Sequence, residues 1–188
     1  MSYGYHVAWL TRLPILHREH HHPPALAKAL LAIEVPWAGA PLRLWATHLA
    51  SRHDRQTPEG EIGVILDFLR AANVPLHLLV GDLNALRPGD PVGAPPPGVA
   101  KRGEACDGAP RRAIGRLLDA GYVDGYRALH PDDRGLTFPA GDPHVRLDYV
   151  FLPSAFAPRL KGCAVVNGTP ATMNASDHLP VVADLDLA

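Results

Sequence analysis

Four apolar runs, Leu42 to Ala46, Leu76 to Val80, Leu147 to Leu152 and Val181 to Leu187, constrain the fold more than any other feature of this chain. Each has the length and the leucine or β-branched content of a buried strand. Beside or within them stand four polar motifs: Thr47-His48-Leu49, Gly81-Asp82-Leu83-Asn84-Ala85, Arg146-Leu147-Asp148-Tyr149 and Ser176-Asp177-His178-Leu179-Pro180. An acid, an amide or an imidazole is therefore aimed from the rim of a sheet four times over.

Size and charge bound the rest. With 188 residues and 47% hydrophobic content, the chain is expected to form one domain over residues 1–188. Its 18 Lys and Arg nearly balance 19 Asp and Glu, for a net charge of -1. That leaves room for a local basic patch but not for the global excess of a protein that wraps duplex DNA. An aromatic content of 6% gives little sign of a stacking platform for single strands. Cys106 and Cys163 fit neither a zinc pattern nor a disulfide framework and read as free thiols. No leader pattern opens the sequence, and no stretch reaches the ~18 apolar residues of a membrane span, so the expected location is the cytoplasm.

Along the chain, Val7 to Leu10 reads as a short strand ended by Pro14, and His17 to Pro24 as a solvent loop. Ala25 to Val35 is ambiguous between helix and strand; its place before a turn favours a hairpin with Leu42 to Thr47. Thr57-Pro58-Glu59 predicts a helix start, with Ile62, Ile65, Leu66 and Leu69 on one face and Asn73-Val74-Pro75 as the stop. The proline-rich segment from Arg87 to Pro110 predicts an irregular loop on the substrate side or a flexible insertion. A second helix is expected over Arg111 to Ala120 with Gly121 at its end, and further strands over Val123 to Tyr126 and Cys163 to Val166.

The chemistry of the rim suits a divalent cation and a phosphate. Strand alternation sends Asp82 and Asn84 to one side, so a carboxylate and an amide meet there, although an Asx turn explains the pair as well. Asp177 is a hard oxygen donor, and His178 can hydrogen-bond phosphate or move a proton near neutral pH. Asp148, set among aliphatic and aromatic residues, needs a partner, for which His178 and Arg146 both serve.

In their order along the chain the motifs, with Thr137-Phe138 before the third, resemble the endonuclease/exonuclease/phosphatase superfamily from about Val7 onward. The resemblance implies an α/β (α+β) sandwich of two packed mixed β-sheets flanked by helices, four layers in all. It further implies a hydrolase that cleaves phosphoester bonds with Mg²⁺ or Mn²⁺. By position, His48 contacts phosphate, Asp82 orients or deprotonates water, and Asn84 binds phosphate near the metal. Asp148 holds the tautomer of His178, His178 stabilises the transition state, and Asp177 ligates the cation together with Asp82 and Asn84. Arg52 and Thr137 are further substrate-binding candidates. The partner is a phosphoester substrate, either nucleic acid or a small phosphorylated molecule.

The family's first strand with a metal-proximal Asn and its later strand with a metal-ligand Glu have no counterpart here, so an N-terminally shortened member is expected. Glu19 and Glu34, the acids before the first matched motif, lie in different contexts. Two readings follow: a reading frame that starts upstream of Met1, or a shortened protein. The shortened protein would be catalytically weak, or a binding and assembly domain that forms a homodimer through an exposed sheet edge.

Overall fold

The computed structural model describes residues 7–90 and 110–186. Its larger sheet contains β1 (His17–His21), β2 (Leu30–Trp37), β3 (Ala40–His48), β4 (His77–Asp82), β5 (Tyr122–Asp124) and β6 (Asp148–Pro153), in the order β1-β2-β3-β4-β6-β5. β3 and β4 pair in parallel across α1 (Pro58–Ala72), and the other neighbours pair antiparallel. A second, two-stranded antiparallel sheet joins β7 (Leu160–Val165) to β8 (Val181–Leu185). The helices are completed by α2 (Arg112–Asp119), α3 (Gly125–Leu129) and α4 (Pro170–Ala175). The expected mixed α/β class with two packed sheets is what forms, the mixed pairing being confined to the larger sheet.

Alternation along the central strands divides the core. Trp45, Leu79, Tyr149 and Phe151 face α1 and α2, meeting Ile62, Ile65, Leu66, Leu69, Ile114 and Leu117. Leu42, Leu78, Val150 and Leu152 face the opposite way, towards Leu160 and Cys163 of the smaller sheet. Three layers of the expected sandwich follow among the described residues: helices, six strands, two strands. The even-numbered positions of β3, β4 and β6 thus look into the space between the sheets.

Local signals set the helix bounds. Thr57 Oγ1 accepts the Gly60 N–H at 3.2 Å, Pro58 opens α1, and Asn73 closes it in the left-handed region at φ 47°. Other expectations need correction. Val7 to Leu10 is not a strand, since no other segment among the described residues pairs with it; Trp9 simply lies against the cluster between the sheets. His17 to His21, expected as loop, is edge strand β1. Its charges mask a strand because they are themselves edge protection: Glu19 contacts His17 at 3.0 Å, His21 at 2.8 Å and Arg43 at 3.3 Å. Ala25 to Val35 becomes strand only from Leu30 onward, with the hairpin turn at Ala38-Gly39. The strand expected over Val123 to Tyr126 stops at Asp124, whose carboxylate accepts the Arg127 N–H at 3.2 Å and starts α3. Cys106 and the proline runs between Pro91 and Gly98 lie outside the described residues. No described helix is long and apolar enough to cross a membrane.

One glycine decides whether β3 and β4 can pair. Gly81 has φ +141°, and a Cβ built there would lie 1.8 Å from the Thr47 carbonyl oxygen. Gly81→Ala is therefore expected to lower the unfolding free energy by roughly 3 kcal/mol or more. Urea unfolding followed by circular dichroism measures this, and a loss below about 0.5 kcal/mol would show that the strands pair differently.

Candidate functional site

Pairing register builds the site. His48 at the end of β3 is paired with Asp82 at the end of β4, and Asp82 is paired in turn with Asp148 at the start of β6. Cross-strand partners share a face, so three polar side chains stand in a row at the rim, all turned towards the smaller sheet. The His48 Nε2 to Asp82 Oδ2 distance is 3.2 Å. His178, just before β8, closes the row from the second sheet. Its Nδ1 is 2.8 Å from Asp148 Oδ2, and its Nε2 is 3.8 Å from Asp82 Oδ2.

Thr137 and Phe138 hold both halves of the Asp148–His178 pair. The Thr137 hydroxyl accepts the N–H groups of Leu147 (3.1 Å) and Asp148 (3.3 Å), while its carbonyl accepts the Leu179 N–H at 2.8 Å. The Phe138 ring lies 4.7 Å from the His178 ring, centre to centre. Thr137 is fully buried, so the substrate contact expected of it gives way to a scaffolding one.

The other candidates fall less simply. Asn84 lies beyond β4 at φ 43°, so strand alternation does not place it; its N–H bonds Asp82 Oδ1 at 2.9 Å in an Asx turn. Its side chain nevertheless stays at the rim, Nδ2 donating to the Leu49 carbonyl at 3.0 Å. Arg52 is exposed in the loop after His48, its Nε donating to His53 Nε2 at 3.1 Å. Asp177 is exposed beside Ser176 and stands outside the group of ligand atoms that Asp82, Asp148 and His178 bring within 4.8 Å of one another. Glu34 is held by Arg43 at 2.7 Å and Glu19 by its histidines, so neither turns to the rim.

Arg146 does not pair with Asp148. Its Nη2 lies 2.8 Å from Asp90 and 2.6 Å from Asp124, in a buried cluster that also takes in Arg127 at 3.0 Å from Asp90. Of the two partners left open by the sequence, His178 is the one that Asp148 uses. Sequence reading missed this cluster, and it missed Lys28, a buried lysine whose Nζ reaches the Leu49 carbonyl at 3.2 Å and Asp54 at 3.0 Å. A lone lysine among the alanines and leucines of Ala25 to Leu31 was the available signal.

Environment separates the titrations. Burial and the neighbouring Asp148 charge push Asp82 up to about 6, against the pull of the Asn84 N–H, His178 and Lys28. His48 is pushed down to about 4 by burial and by the charges of Lys28 and His178, so it is neutral at pH 7. Its contact with Asp82 is consequently that of a neutral imidazole, despite ion-pair distance. Burial works against the charged form of His178, but the hydrogen bond and charge of Asp148, with Asp82 and Asp177, outweigh it and raise its pKa. Near neutrality the row therefore holds an ionised Asp82 beside a neutral His48, with the proton of His178 bound more tightly than in a free imidazole. Two carboxylates close enough to repel, with hard oxygen donors turned to one point, fit a divalent cation.

No protein-family model matches the chain, and no curated protein matches it in sequence. Solved structures do. A 3'-5' exonuclease from Neisseria meningitidis superposes with a TM-score of 0.69 at 22% identity, over 94% of this chain and 73% of that one. An AP endonuclease from Archaeoglobus fulgidus gives 0.61 at 21% identity, over 84% and 65%. A mannosyl-6-phosphatase from Bacteroides thetaiotaomicron gives 0.61 at 13% identity, over 92% and 67%. The fold is that of the endonuclease/exonuclease/phosphatase superfamily.

The coupled row predicts a pH response. Asp82 and His178 both bind protons more tightly when folded, so their contributions to stability fall as pH rises: Asp82's from its ordinary 3.8 to about 6, His178's from 6.5 upward. Asp148→Asn is expected to lower both pKa values and to flatten the upper step. NMR titration of the His178 ring and the Asp82 carboxyl, beside unfolding curves at several pH values, checks this.

Proposed function

We propose that this chain is a Mg²⁺- or Mn²⁺-dependent phosphoester hydrolase, working through the rim row of a single domain. The observation that carries the reading is the register His48, Asp82, Asp148, completed by His178 from the other sheet. The names of the structural neighbours, two nucleases and a sugar phosphatase, denote phosphoester chemistry on large and small substrates alike and support the class without choosing among its members.

Each residue then has a task that its geometry allows. Asp82, ionised above about pH 6, accepts a proton from the attacking water and orients it. Asp148 fixes the Nδ1 proton of His178 and favours the form in which Nε2, turned to the rim, donates to a phosphoryl oxygen. Neutral His48 offers a hydrogen bond to the same phosphate without adding charge. Asn84 offers its amide from the turn after β4, and Arg52 stands where it can meet an extended substrate. Asp82 and Asp148 would hold the cation, with Asn84 and Asp177 the next oxygen donors along the rim. Bound there, it supplies neutralisation of phosphate charge.

Turnover of a generic phosphodiester and of a 3'-phosphorylated oligonucleotide with added Mn²⁺ is the test. Asp82→Asn and His178→Ala are each expected to reduce kcat/KM by about 100-fold or more. Manganese affinity, measured by calorimetry, is expected to rise between pH 5 and 7 as Asp82 loses its proton. A folded chain that neither binds Mn²⁺ nor turns over any phosphoester overturns the reading in favour of a binding domain on the same scaffold.

A further inference from the structure

Beneath the row lies a junction that the chemistry does not touch directly. The Leu49 backbone sits between the two motif-bearing strands: its N–H donates to the Asp82 carbonyl at 2.9 Å, and its own carbonyl receives Asn84 Nδ2 at 3.0 Å. Lys28 Nζ donates to that same carbonyl at 3.2 Å. The ammonium is also 3.0 Å from Asp54 Oδ2, an oxygen that accepts the Ser51 N–H at 2.7 Å and its hydroxyl at 3.0 Å. One buried cation thus ties the entrance of β2, the loop carrying Arg52 and the amide of Asn84.

Glu61 locks the junction from the helix side. Only 1% exposed, it reaches out of α1 and takes the Ala27 N–H at 2.6 Å on one oxygen and the Ala50 N–H on the other. Those two residues immediately precede Lys28 and follow Leu49. A carboxylate buried this deeply in a helix is costly to keep, and burial does raise its pKa against the pull of the two N–H groups and Lys28. Helix propensity does not require it, and the apolar face of α1 is complete without it.

We propose that Lys28 is a positioning residue of the rim site, setting the orientation of Asn84 through the Leu49 carbonyl, with Glu61 fixing the two chain segments that meet there. Committing one N–H of Asn84 to Leu49 fixes the plane of the amide and so the line along which its Oδ1 can reach a ligand. The proposal rests on the hydrolase reading for its importance, but its geometry is tested without substrate.

The side-chain amide of Asn84 in ¹⁵N NMR spectra of the full chain is the readout. In Lys28→Met its resonances are expected to shift and its hydrogen exchange to accelerate about tenfold, as for loss of one supporting hydrogen bond. Lys28→Arg, which keeps a cationic donor, restores slow exchange. If the hydrolase reading also holds, kcat falls about tenfold in Lys28→Met with KM changed less than about twofold, and Arg rescues it. Should Lys28→Met fail to fold, Glu61→Gln frees one of the two anchored N–H groups and is expected to accelerate Asn84 exchange as well. An Asn84 amide identical to wild type in the folded variants overturns the proposal. Altered Asn84 exchange in a chain without turnover upholds it and counts against the hydrolase reading alone.

Discussion

Everything at the rim depends on the register between β3 and β4. A slip of one residue would send His48 and Asp82 to opposite faces, one among the helices and the other between the sheets. Gly81 holds the register, because a side chain there meets the Thr47 carbonyl, and the parallel pairing then continues to the last residue of both strands. Asp82 is fixed a second time by β6, which brings Asp148 opposite it. The repulsion of these two carboxylates is the electrostatic cost of the arrangement, and His178 and Lys28 are its nearest counterweights.

Around this register the fold uses buried charge as structural material. Arg146 with Asp90 and Asp124, and Glu61 with two backbone N–H groups, each tie together segments distant in sequence. Such groups add little net stability, because desolvation offsets their attraction. Their effect is geometric: each has one arrangement that satisfies its hydrogen bonds, and the backbone must adopt it. Asp148 benefits most, since Arg146 anchors the chain on its N-terminal side and Tyr149, bonded through its hydroxyl to the Ala85 and Arg146 carbonyls, anchors it on the other.

What could be read from the sequence followed the range of the interactions. The α1 helix emerged with its bounds because cap, proline and stop are local to Thr57, Pro58 and Asn73. The four motifs were legible as rim residues, since strand length and polarity are local too. Their order across the sheet was not, because it depends on pairing between segments far apart. Asn84 was assigned a side by alternation although the chain leaves the strand at Asp82, and β1 was read as loop because its charges mask a strand. Thr137 was noticed as part of a motif, but only tertiary contacts show that its hydroxyl serves Asp148 and not a ligand.

Thr137 also links the two sheets. Its hydroxyl belongs to the approach to β6, and its carbonyl to the approach to β8, so the Asp148–His178 pair spans a seam between two layers. Motion of the small sheet relative to the large one would stretch that seam as it sheared the apolar core between them. Ligand bound across the row would act as a rivet through both layers, and the protein would then resist shear between its sheets in proportion to how tightly that ligand is held.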